Sequence, residues 1–175
     1  MVRNTACLIL SLIILFACVS TNKTANKDFI VLADNSNKVL SGKINRSLIE
    51  NDTSFKWFKQ NIQFGEADAS AVSGIKKNAD KFNLVVVAGT WCHDSWNLLP
   101  KFYRLIAAAG YPESKVLLIG VDRKRVAFNN IQAPYHILNT PTFIVMHNGK
   151  EVGRVIEYGK TGYMEKELGE IIAGL

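Results

Sequence analysis

Two runs of aliphatic, mostly β-branched residues, Leu84-Val85-Val86-Val87-Ala88 and Lys115 to Val121, constrain this chain more than any other feature. Neither alternates apolar with polar residues, so each reads as a strand covered on both faces. Between them, Ser95 to Ala109 places Leu98, Leu99, Phe102, Leu105 and Ile106 at helical intervals, and Gly110 stops the pattern. Strand, helix and strand in that order imply a right-handed parallel crossover. Such a unit needs apolar cover, and with 48% of its 175 residues hydrophobic the chain can build a core for one domain.

The remaining segments fit around that unit. A weaker helix, broken by Pro134, is expected over roughly Ala127 to Tyr135. Thr142 to His147 and Glu151 to Ile156 are strand-like runs joined by Asn148-Gly149, the strongest short hairpin signal. Tyr163 to Ala173 puts Met164, Leu168, Ile171 and Ile172 on one face of a closing helix. Upstream, Phe29 to Leu32 and Lys38 to Ile44 can each form a strand. Asp52 is placed to cap a helix bearing Phe55 and Phe58, and a second helix starts after Asp68 with Gly74 as its weak point. The expected fold class is α/β, a central mixed β-sheet flanked by helices. Residues 83–175 form the domain, and 28–82 a mostly helical N-terminal extension packed on it.

The first residues read as an export signal. Arg3 gives a positive start, and the apolar stretch Ala6 to Ala17 is short for a bilayer span and runs straight into polar residues. Leu15-Phe16-Ala17-Cys18 resembles the lipobox of bacterial lipoproteins, with Phe16 where a small residue is more usual. That resemblance implies a signal peptide over 1–17 and lipidation of Cys18. An uncleaved anchor and cleavage without lipid are the alternatives. Residues 18–27, small and polar after the cysteine, read as a tether. The chain is thus expected in the cell envelope or periplasm, held to a membrane by its N-terminal lipid. Cys92 is then the one thiol left, in a compartment that favours disulfides.

Composition excludes other classes. The net charge is +6, but the positive residues are spread out, without a basic block interleaved with aromatics. A positively biased surface is the better reading than nucleic-acid binding. His93, His136 and His147 do not form a spaced metal cluster with Cys92, and no cofactor motif is present, so neither metal nor cofactor is expected. Arg123-Lys124-Arg125 reads as a solvated charged loop, with attraction of acidic substrates or glutathione as the alternative. Trp57 and Trp96 read as core or groove wall, and Trp91 as packing or a platform beside the thiol.

Cys92 itself stands at the junction of a buried strand and a helix. Helix N-termini present unpaired N–H groups and the positive end of the dipole, which favour the thiolate, the species that attacks disulfides. Four features in order, Trp91-Cys92-His93-Asp94-Ser95, Pro100, Thr140-Pro141-Thr142 and Asn148-Gly149, resemble the thioredoxin superfamily over about Asn83 to Leu175. The resemblance implies a thioredoxin-like fold with Cys92 as the reactive thiol and Ser95 at the position of the resolving cysteine. Trp91, His93 and Asp94 surround that thiol. The resemblance further implies that Thr140 and Pro141 form a cis-proline loop that receives extended substrate peptides. It also implies that Val86 and Leu118 replace a buried Asp and Lys of thioredoxins, which avoids an unpaired buried charge.

A single thiol without a resolving partner points to mixed-disulfide chemistry, isomerase or reductase, completed by an external thiol. The expected partners are exported proteins with disulfides or thiols, glutathione, or a redox partner protein. A non-catalytic peptide-binding or chaperone-like module on the same frame is the second reading. An oxidant-sensing thiol is the third.

Overall fold

The computed structural model describes residues 27–34 and 37–175. The expected signal peptide, Cys18 and all of the tether except Lys27 lie outside the described residues. Six strands form one sheet in the order β1-β2-β4-β3-β5-β6. They are β1 (Phe29–Asp34), β2 (Asn37–Ile44), β3 (Asn83–Ala88), β4 (Val116–Gly120), β5 (Thr142–His147) and β6 (Lys150–Ile156). β3 and β4 are parallel and every other neighbouring pair is antiparallel, so the sheet is mixed. The central strands are the two apolar runs, as burial on both faces requires.

Among the described residues, five α-helices accompany the sheet: α1 (Arg46–Glu50), α2 (Lys56–Asn61), α3 (Ala69–Asn78), α4 (His93–Ala108) and α5 (Met164–Ala173). The pleat of β3 divides the core. Leu84, Val86 and Ala88 face α2 to α5 in one large cluster, with Phe58, Ile75, Phe102 and Leu168 fully buried there. Val85 and Val87 face a smaller cluster, closed by Ala127, Ile131, Tyr135 and Ile137.

The segment over that second face is not the weak helix expected from Ala127 to Tyr135. It is two single 3-10 turns, Phe128–Asn130 and Ala133–Tyr135. Asn129, Asn130 and His136 adopt positive φ, and Pro134 has no N–H to give, so no α-helical ladder can run through. Gln132 holds the segment instead, accepting the Ala127 N–H at 2.9 Å and donating to Asn130 at 2.8 Å.

The region before β3 is more than a helical appendage. Helical residues outnumber strand residues in it, but its β1–β2 hairpin extends the sheet, with Gly42, Lys43 and Ile44 registered on Gly120, Ile119 and Leu118 of β4. At the other edge, Asn148 and Gly149 take φ of 49° and 76°, the primed geometry that matches strand twist in a two-residue hairpin.

Candidate functional site

β3 delivers the chain to residues 89–92 at the sheet's end, and α4 begins at once, two residues earlier than the periodicity indicates. Cys92 is the N-cap of α4: its N–H bonds the Gly89 carbonyl at 3.0 Å, and its carbonyl accepts the Trp96 N–H at 3.0 Å. The Cys92 side chain makes no cap bond to the helix. Its Sγ, half-buried, donates instead to the Thr140 carbonyl at 3.1 Å. Thr140–Pro141 is a cis peptide bond, and the loop is closed by the Thr142 hydroxyl on the Asn139 carbonyl at 2.7 Å. Cys92, Thr140 and Pro141, far apart in sequence, therefore meet.

Ser95 is fully buried, and its Oγ accepts the Gly89 N–H at 3.3 Å. Its place is behind the loop that carries the thiol, where it holds the turn. His93 is exposed and lies edge-on to Trp96 at 4.3 Å; Asp94 is half-buried beside it. Trp96 donates from Nε1 to the Thr90 carbonyl at 2.8 Å and stacks on Trp57 of α2 at 6.2 Å. Trp96 lines the depression beside the thiol, and Trp57 backs it while packing against the main core.

Trp91 is fixed on three sides. Its Nε1 donates to the Val121 carbonyl at 2.8 Å, and the Arg123 guanidinium lies 4.9 Å from its ring centre. The indole also folds over Gly89 so closely that a Cβ there would sit 2.7 Å from the ring. Arg123 in turn is ion-paired with Asp34 at the end of β1. Around the thiol, Asn37, Trp91, His93, Asp94, Trp96 and Arg123 line a shallow open depression.

Three contributors have no signal in the sequence. Thr90, buried, accepts the Leu40 N–H at 3.2 Å and donates to the Lys38 carbonyl at 3.1 Å, stitching β2 to the thiol loop. From the hairpin, Asn37 lines the depression, and Asp34 acts on it only through its ion pair with Arg123. Such contacts span fifty or more residues, beyond any local pattern. Val86 and Leu118, by contrast, are register partners in the β3–β4 pair and both buried, so the two apolar side chains are direct neighbours.

No family model and no curated protein matches the chain. Among solved structures it is similar to a Pseudomonas aeruginosa protein of unknown function, with a TM-score of 0.51 at 14% identity, covering 75% of this chain and 90% of that one. The thioredoxin of Fasciola hepatica aligns at a TM-score of 0.39 and 24% identity over 55% of this chain and 86% of its own. The thioredoxin pre-protein of Schistosoma mansoni gives 0.38 and 23% over 61% and 94%. The βαβ–ββα order, with β5 antiparallel beside β3 and the Thr140–Pro141 loop opposite the start of α4, makes the fold thioredoxin-like.

Proposed function

We propose that this protein carries out monothiol thiol–disulfide exchange through Cys92 in the cell envelope, anchored to a membrane by lipid on Cys18. The observation that carries the reading is the Cys92 thiol at the start of α4, 3.1 Å from the Thr140 carbonyl and open to a depression. That carbonyl is also an acceptor an extended peptide can pair with, so docking and thiol release are linked. Cys92, as thiolate, attacks one sulfur of a substrate disulfide. A bond forms from Cys92 to that sulfur, the substrate S–S bond breaks, and its electron pair leaves on the other sulfur. With Ser95 in place of a second thiol, the adduct is resolved from outside, by a thiol of the substrate, glutathione or a partner protein.

Trapping in intact cells tests this. Rapid alkylation followed by non-reducing electrophoresis should reveal adducts of the wild type that vanish with reductant and with Cys92→Ala. Absence of any Cys92-dependent adduct under oxidising conditions overturns the reading. The anchor is tested separately: labelled fatty acid should enter the wild type and not Cys18→Ala, and equal labelling of both rejects it. The buried Val86–Leu118 pair, which has no group to move protons, favours a second reading, a peptide-binding module without turnover. Full partner binding and function in Cys92→Ala would select it.

A further inference from the structure

We propose that Arg123, held over Trp91 by the N-terminal hairpin, makes the Cys92 site selective for disulfides flanked by carboxylates in exported polypeptides. This rests on the thiol-exchange reading above. Arg123 bonds Asp34 through Nε only; among the described residues, its two terminal nitrogens have no hydrogen-bond partner. Those nitrogens present the planar fork that receives carboxylates.

The placement of the acids gives the depression its polarity. Asp34 and Asp122 line an adjoining cleft with Arg123, and neither lines the Cys92 depression. Asp122 is further occupied by the Lys124 and Val126 N–H groups, both at 2.9 Å. Within the depression, Arg123 stands on the loop after β4 and Asp94 on α4. One side therefore accepts an anion beside the thiol while the other repels it. The Trp91 indole, fixed by Val121 and Gly89, keeps Arg123 at that rim and is not free to swing with it.

The test uses the full chain in non-ionic detergent and two synthetic peptides, each with one cysteine activated as a thiopyridyl disulfide. One carries Glu on both sides of the cysteine and the other Gln. Attack by Cys92 forms the protein–peptide disulfide and expels thiopyridine with the electron pair of the broken bond. The adduct is read by mass at the Cys92-containing fragment, so Cys7 and Cys18 do not contribute. At low salt the Glu peptide should react about threefold or more faster than the Gln peptide. That ratio should fall to about one in Arg123→Ala and below one in Arg123→Glu. In the wild type it should collapse toward one at high salt. A ratio that is the same in all three proteins, or indifferent to salt, overturns the assignment to Arg123. Failure of both peptides to label Cys92 overturns the thiol-exchange reading itself.

Discussion

The Gly89 N–H lies among buried groups, and the Ser95 hydroxyl is what satisfies it. Ser95→Ala leaves that amide without a partner, and the expected cost is about 1–3 kcal/mol in urea denaturation. An unchanged midpoint would show that Ser95 does not support the loop. Sequence spacing brings residue 95 near residue 92 but does not say which group its hydroxyl meets. That depends on the turn closed from Cys92 N–H to the Gly89 carbonyl, which no periodicity encodes. Val86 and Leu118 are the opposite case, since both read as buried apolar residues and both are. Val86→Asp would bury a carboxyl without a basic neighbour, and a loss of at least ~2 kcal/mol is expected. A neutral result would mean the site retains an unrecognised means of solvating charge.

At the level of elements, the active-site helix depends on its neighbour. Pro100 has no N–H to offer the Trp96 carbonyl, and Asn61 of α2 donates its side-chain amide there at 2.9 Å. Asn61→Leu should therefore cost about 1–3 kcal/mol and speed amide exchange in the first turns of α4. Exchange unchanged there would dissociate α2 from the helix. The proline is legible in the sequence; its remedy, an amide thirty-five residues before Trp96, is not. α3 shows a pH-dependent cap. Asp68 accepts the Ser70 hydroxyl at 2.6 Å and the Ala71 N–H at 2.8 Å, and these bonds hold its carboxyl below the ordinary 3.8. Its folded value is depressed, so the charge-dependent stability is present above 3.8 and lost as pH falls through the folded value. Relative to Asp68→Asn, which still caps, the wild type should be the more stable at neutral pH and lose that advantage in acid. An advantage constant with pH would contradict the assignment. The β5–β6 turn is legible because Asn-Gly carries its own geometry, whereas the register shift at Val145/Met146 and the 127–135 segment are not. There the asparagines at positive φ outweigh apolar spacing.

Across the whole molecule, one core joins the hairpin and α1–α2 to the frame. Leu40, Ile44, Ile49, Phe55 and Phe58 share a cluster with β3, α4 and α5. Thr90 and the Asp34–Arg123 pair tie the same region to the thiol loop. Tryptophan fluorescence, which reports Trp91 together with the Trp57–Trp96 stack, and far-ultraviolet dichroism should therefore change together in one transition. An earlier transition in fluorescence alone would make the N-terminal region a separate unit. Apart from the 127–135 segment, the order of strands and helices from Asn83 onward can be read from the sequence because each element is patterned locally. The joining of β2 to β4 could not, since neither edge carries a mark of its partner. Among the described residues, the frame presents one thiol, Cys92, to an open depression, and the proposed role of that thiol is exchange with disulfides. Intact-mass measurement after exposure to oxidised glutathione tests it most directly. The expected result is one glutathionyl group added at Cys92, absent from Cys92→Ala and removed by reductant; an unmodified Cys92 under those conditions would contradict it.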